Sequence, residues 1–423
     1  MTMSHGYKAR LANTLLRMLP LAAKLLLTLY MGKYLSLAEM GVYGLVFGAV
    51  SVLRVVLCQG FDYVVTRDIV GATPLTALHK MRDQAVLYSL NYGVLIVLAI
   101  ICISTGAIPV SPKLIVLTVL LTILEGYASA LYDNANSMNQ QLTANFILFI
   151  RTGLWVFPVV LLGWIDQSWR TAEVVLCAWL IGATGSLALN LLLWRAMPWG
   201  QALRMPVDWD WIRRELKKCL PIWLGGMGAT AGLFVDRFLV ERFLTLDDVG
   251  VLTFFFSFSN ALGNLMQSGV LSFAYPRLIA IHREGDNEMF RREARQAIQQ
   301  MALGGGGMAL LFAIAVPILG VYTGRPAIME SAATLWLMLL GVWIRLNSET
   351  LNFVLYARRR DRAIWQGNLL FLIPAIGGNA ALIPLLGLPG VGWASVLAAV
   401  FIFIWRWWRI HEDQQQRIFF HAG

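Results

Sequence analysis

Acidic residues are scarce in this chain, with 24 Asp and Glu against 34 Lys and Arg over 423 residues, a net charge of +10. Cysteine is scarcer still. The four cysteines, Cys58, Cys102, Cys177 and Cys219, are too dispersed for a disulfide framework or a zinc site and read as packing residues. All five histidines, His5, His79, His282, His411 and His421, fall in expected loops or tails, which excludes a histidine proton relay or metal site at membrane depth. No phosphate-binding Gly-rich loop, dinucleotide fingerprint, metal-ligand cluster or Gly-x-Ser-x-Gly elbow occurs, so the chain is expected to be no enzyme and to hydrolyse no nucleotide. No catalytic residue, metal or cofactor is expected.

What the chain has is long apolar runs. The hydrophobic fraction is 58% with 14% charged, and the mean hydropathy is +0.64. A helix crosses a bilayer with about 20 apolar residues. Twelve such spans are predicted, at 11–32, 41–62, 85–105, 113–132, 142–164, 172–194, 219–241, 250–272, 297–321, 332–356, 363–386 and 390–409. The runs are apolar throughout rather than alternating, which excludes a transmembrane barrel. The short connectors leave no room for a soluble domain. The first run ends at Tyr30-Met31-Gly32-Lys33 without a small-residue cleavage site and is read as a retained helix.

Basic residues set the orientation. Arg213, Arg214, Lys217 and Lys218, then Arg277, Arg283, Arg291, Arg292 and Arg295, then Arg358, Arg359, Arg360 and Arg362 all fall on one side. The opposite loops carry little more than Lys33, Lys113, Arg170, Arg242 and Arg325. The positive-inside rule then places both termini in the cytoplasm. It and anionic lipid headgroups account for the net charge without nucleic acid.

Four basic residues, Arg17, Lys24, Arg54 and Arg151, lie inside the spans of the first half, where Glu125 is the one firm acidic counterpart. A bare cation in hydrocarbon costs at least ~2.5–3.5 kcal/mol, so such residues face a protein interior or a watery cavity. At a rise of ~1.5 Å per residue, Arg17, Arg54 and Arg151 lie roughly 9, 12 and 13 Å from the inner ends of their helices, with Lys24 two turns above Arg17. Guanidinium groups suit bidentate phosphate contacts. The layout reads as an anion site. The competing reading has Arg17 snorkelling to the interface and Arg54 or Arg151 pairing with Glu125.

An internal repeat organises the chain. Leu35, Leu37, Gly41 and Val42 recur as Leu244, Leu246, Gly250 and Val251, and Lys33, Tyr34, Ser36 and Glu39 as the similar Arg242, Phe243, Thr245 and Asp248. Each copy pairs Ser or Thr with an acidic residue, a helix-start signal. Thr66-Arg67 then echoes Tyr275-Pro276-Arg277. The copies are six spans apart, so they are parallel, which implies two lobes related by an axis along the membrane normal. The expected division is a six-helix lobe at 1–194, a cytoplasmic linker at 195–218, and a second lobe with a short tail at 219–423. Trp199, Trp209 and Trp211 suggest that the linker lies on the inner membrane surface, and Trp405, Trp407 and Trp408 with Arg406 and Arg409 suggest an inner anchor for the last span.

The segments MGKYLSLAEMGVYGLVFGAV at 31–50 and LFVDRFLVERFLTLDDVGVLTFFFSFSNALGNLMQSGVLSFAYPRL at 233–278 resemble the lobe openings of polysaccharide-type, Wzx-like flippases. These belong to the multidrug/oligosaccharidyl-lipid/polysaccharide (MOP) exporter superfamily. The resemblance implies a MATE-like, V-shaped pair of lobes around a cavity that opens alternately to each side of a bacterial inner membrane. It implies an undecaprenyl-pyrophosphate-linked oligosaccharide as cargo, with a polysaccharide polymerase and other assembly proteins as partners. The lipid II flippase relative also carries basic residues in its first two helices, as Arg17, Lys24 and Arg54 do here, but usually has fourteen spans rather than twelve.

In the second half, Arg345 and Glu349, and Arg237 and Glu241, are spaced i, i+4 and are expected to pair. Alternatively, Glu125, Asp236 or Glu349 binds a coupling proton or sodium ion. The Gly304–Gly307 run is expected to permit close packing or a hinge. The reading is a lipid-linked oligosaccharide flippase. The alternatives are an ion-coupled multidrug or organic-cation exporter of the same superfamily, for which an acidic cavity is expected, and a membrane glycosyltransferase or glycan ligase, for which the outer loops are short.

Overall fold

A computed structural model describes the backbone of residues 2–420 and the side chains of residues 16 and 18–412, apart from residue 287. Among the described residues there is no strand; the fold is all-helical. The helices are α1 (Thr2–Tyr34), α2 (Leu37–Cys58), α3 (Phe61–Ile69), α4 (Pro74–Thr105) and α5 (Pro112–Ser137). There follow α6 (Gln141–Ile165), α7 (Ala172–Leu193), α8 (Trp199–Arg204), α9 (Trp209–Phe243) and α10 (Leu246–Glu284). The chain ends with α11 (Asn287–Thr323), α12 (Pro326–Glu330), α13 (Ala332–Ala357), α14 (Asp361–Leu386) and α15 (Leu388–Phe420). The boundaries follow local chemistry. Thr73 and Ser111 each cap the helix that follows, accepting the backbone N–H of Thr76 and Leu114, with proline at the first helical position of both. Gly106, Gly285 and Gly324 close α4, α10 and α11 in the left-handed conformation that glycine adopts without strain.

Ten helices among the described residues are long and apolar enough to cross a membrane. Of the twelve predicted spans, those at 11–32 and 332–356 fall outside that set. They coincide with α1 and α13, both long enough, but α13 is interrupted by Arg345, Asn347, Ser348 and Glu349.

The chain divides into two compact units, Met1–Leu35 with Val46–Trp223, and Ser36–Leu45 with Leu224–Gly423. In the first, the segment between α7 and α9 is held on α4 by Arg82, whose guanidinium donates to the carbonyls of Ala202 (3.1 Å), Pro206 (2.9 Å) and Met205. The buried Asp83 neutralises that guanidinium at 2.6 Å. Trp211, expected at a membrane surface, is instead buried against Phe61, and its indole N–H donates to Asp68 at 3.0 Å.

The second unit joins the two repeat copies. A side chain on Gly41 would overlap the Leu246 carbonyl, and one on Gly250 would overlap the Leu37 carbonyl. These contacts are reciprocal, since Leu37 and Gly41 correspond to Leu246 and Gly250. The Thr245 and Asp248 side chains form a full capping box, whereas Ser36 accepts the Glu39 N–H at 3.1 Å. Each copy also breaks at the same place. The first turns through Gln59 and Gly60, both with positive φ; the second widens into a π-turn at Gln267–Leu271. A π-turn accommodates one extra residue, which explains why Arg67 and Arg277 lie one position further apart than Gly41 and Gly250. Within the glycine run at 304–307, Gly305 and Gly306 lie against the Trp343 ring: a Cβ on them would meet Cδ1 at 3.4 Å and Nε1 at 3.3 Å, respectively.

Candidate functional site

In the first unit, α5 presents Glu125, Ser129 and Asp133 at i, i+4 and i+8, a spacing that stacks side chains along one helix face. Two arginines approach this stripe. Arg54 on α2 donates from Nη1 to Ser129 Oγ at 2.8 Å. Arg151 sits in a π-turn of α6, Ile150–Leu154, with Nε 3.1 Å from Glu125 Oε2. Such turns re-aim side chains and recur at functional positions. Gly153 in the same turn brings α1 close, since a Cβ there would lie 3.3 Å from Pro20 Cα. One turn beyond Pro20 is Lys24.

Of the two expected pairings for Glu125, the structure selects Arg151. The second carboxylate oxygen, Oε1, accepts the Trp179 indole N–H at 2.7 Å, so the buried carboxylate has one hydrogen bond besides its ion pair. A buried ion pair holds only when hydrogen bonds of this kind offset desolvation. Arg151 is less well served: its buried Nε and Nη1 have no partner in hydrogen-bonding geometry. Arg54 has no ion pair among the described residues. Lys24 is exposed, its ammonium 5.8 Å from the Phe47 ring centroid, and it likewise makes no ion pair there. The Arg17 side chain lies outside the described residues.

From the sequence Glu125 is the one firm acid among these spans; the structure adds two more. Asp133 belongs to the same stripe and lies within Coulombic reach of Asp62, Arg54 and Arg151. Asp62, on α3, accepts from Gln84 Nε2 and from the Tyr88 hydroxyl, both at 2.7 Å, and Asn134 donates to Gln84 Oε1 at 3.1 Å. Both aspartates fall at the predicted ends of spans, where an acid reads as a loop residue. The i, i+4, i+8 spacing of Glu125, Ser129 and Asp133 was the available signal.

The second unit holds its charges differently. Arg237 is fully buried and pairs with Asp236 at 3.0 Å rather than with Glu241, because its guanidinium stacks on Phe256, 3.9 Å from the centroid, and on Phe234 at 4.8 Å. Glu349 pairs at 2.9 Å with Arg406 rather than with Arg345. Arg406, read from sequence as an interfacial anchor, is buried and also bonds Ser348 and Asn368, each at 3.0 Å. This fixed three-way socket outcompetes the flexible i, i+4 contact. Arg345 instead lines a cavity of about 160 Å³ together with Asp236, Ser259, Asn260 and Asn379. Ser259 Oγ and Asn379 Oδ1 are buried there without partners.

No protein-family model and no curated protein matches the sequence. Solved structures do. The chain is similar to the inward-facing form of a multidrug resistance MATE family transporter of the MOP superfamily, with a TM-score of 0.68 at 15% identity over 95% of this chain and 99% of that one. It is similar to the lipid II flippase MurJ in an inward closed conformation, with a TM-score of 0.73 at 13% identity over 96% and 87%. An outward-facing MATE transporter gives 0.61 at 15% identity, over 96% of each chain. At these identities the likeness establishes the fold: a multi-pass, all-helical fold shared with transporters and flippases of the MOP superfamily.

Proposed function

We propose that the chain is an alternating-access flippase that moves an anionic polyprenyl-pyrophosphate-linked oligosaccharide from the cytoplasmic to the outer leaflet of a bacterial inner membrane. The single observation that carries this reading is the availability of Lys24 and Arg54, two cations on adjacent helices of the first unit that make no ion pair with any described carboxylate. Arg151, with an unpartnered Nη1, completes the set. Arginine forks grip phosphate oxygens in pairs, and lysine adds a point charge. An open apolar groove of about 900 Å³ begins at Ile150 in the Arg151 turn and follows α6 and α7, a path suited to the polyprenyl tail. The fold shared with a lipid II flippase agrees with a lipid-linked cargo.

Lobe motion would exchange the two access states through differential affinity for cargo or a coupling ion. Of the three carboxylates considered for a proton or sodium ion, Asp236 is the best placed. Glu125 is engaged by Arg151 and Trp179, and Glu349 by Arg406, whereas Asp236 keeps Oδ2 free of Arg237 and lines the cavity that Ser259, Asn260, Arg345 and Asn379 share. A second reading, export of organic cations, draws support from Asp62, Glu125 and Asp133 in the first unit and from the MATE likeness. Binding separates the two. Purified protein should bind undecaprenyl pyrophosphate with an affinity that falls as salt rises, and Arg54→Gln should weaken it by about tenfold or more. Salt-independent affinity, or preference for an organic cation over the pyrophosphate, would reject the proposal.

A further inference from the structure

The loop between α13 and α14 carries Arg358, Arg359 and Arg360, with Arg362 in the first turn of α14, and the positive-inside rule explains them as a topological signal. That rule asks only that charge lie near the connector. The structure does something more specific. Arg359, Arg360 and Arg362 line one cavity of about 480 Å³, and Arg409, from the distant helix α15, closes it together with Gln366 and Glu412. Four arginines thus line one concave space with a single lining acidic residue.

Two details show that the arrangement is held in place. The Arg409 guanidinium stacks on Trp405 and Trp408, 4.6 and 4.8 Å from their ring centroids, and Nη1 donates to Glu412 at 3.0 Å. Its Nε is buried without a partner. Arg359 adopts φ +57°, a left-handed conformation that costs a non-glycine residue energy, and closes α13 with the Arg359 and Arg360 N–H groups donating to the carbonyls of Tyr356 and Leu355. The 26-residue helix α14 begins at Asp361, so its N-terminal N–H groups open beside the same cluster and add to the positive potential.

We infer that this cavity is a phosphate-binding site, separate from the cation set of the first unit and taking either a membrane lipid headgroup or free phosphate. Converging arginines suit phosphate oxygens, and basic pockets at the cytoplasmic ends of membrane helices hold anionic headgroups in this way. Glu412 would release Arg409 to the anion or remain as a hydrogen-bond anchor for it.

The test uses the full chain purified in neutral detergent, titrated with inorganic phosphate and, separately, with short-chain phosphatidic acid. Sodium chloride at equal ionic strength and phosphatidylcholine are the controls. The comparison is with Arg359→Gly/Arg362→Gln. Both positions are exposed, and glycine relieves the left-handed strain at 359, so the variant should keep or raise the unfolding midpoint. Wild type should bind at least one of the two anions, and the variant about tenfold more weakly. Binding of both probes assigns the site to the phosphate group itself, and binding of phosphatidic acid alone assigns it to a headgroup. Equal affinity in wild type and variant, no binding by wild type, or an equal response to the controls would overturn the inference.

Discussion

The two units bury arginines by opposite means. In the second, Arg237 and Arg406 are enclosed: each has a carboxylate at about ion-pair distance, and each is further held by stacked rings or by neutral oxygens. Their charge is compensated by a carboxylate within the fold, although Nε and Nη2 of Arg237 and Nε of Arg406 are buried without hydrogen-bond partners. In the first, of the three described cations predicted within its spans only Arg151 is paired, and Arg54 and Lys24 are left with a serine hydroxyl and a phenyl ring. A membrane protein bears the cost of such cations only where something outside the fold meets them. The contrast teaches that counting buried charges says less than asking which of them already have a partner.

That contrast can be broken by removing partners. The largest stability effect is expected in the second unit. Asp236→Ala leaves Arg237 uncompensated at zero exposure and should cost about 3–5 kcal/mol, read as a lowered unfolding midpoint in detergent. An unchanged midpoint would show that the rings alone satisfy the guanidinium. In the first unit Glu125→Gln should cost less, about 1–3 kcal/mol, because the amide oxygen still accepts the Trp179 N–H. Transport by that variant should keep its ion dependence; losing it would move the coupling role from Asp236 to Glu125.

The smallest effect lies at the linker. Asp208 is held below the usual carboxylate range, first by the Trp211 backbone N–H and then by Lys80. A depressed folded-state pKa contributes stability above the unfolded value of about 3.9 and loses it as pH falls through the folded value. Docking of the linker should therefore be insensitive to pH from neutrality down to about pH 4 and loosen below it. Asp208→Asn should flatten that acid limb, as followed by protease access to 199–208.

Much of this was legible in the sequence, because it rests on periodicity and apolar length. The all-helical fold follows from apolar length, and the correspondence of Gly41 with Gly250 from comparing two segments, whereas their reciprocal contacts appear only in the structure. The pairings were not, for a physical reason. An i, i+4 rule sees only one helix, and Glu349, Arg237 and Arg406 chose partners by the sockets that neighbouring helices or adjacent residues supply. Asp62 and Asp133 escaped because a predicted span boundary cannot distinguish an acid in the last turn from one in water. The convergence of Arg359 and Arg409 likewise exists only after α13, α14 and α15 have packed.

The central claim is that Lys24 and Arg54 are held open for a phosphate-bearing cargo, and a flipping assay tests it most directly. Proteoliposomes containing Lys24→Gln/Arg54→Gln should fail to move a fluorescent polyprenyl-pyrophosphate-linked oligosaccharide while retaining the wild-type unfolding midpoint, since neither residue is committed to an ion pair. Arg54→Lys should recover part of the rate, because the charge returns without the fork. Arg151 is left intact so that Glu125 keeps its partner and misfolding cannot imitate loss of function. Wild-type flipping by the double variant would contradict the account.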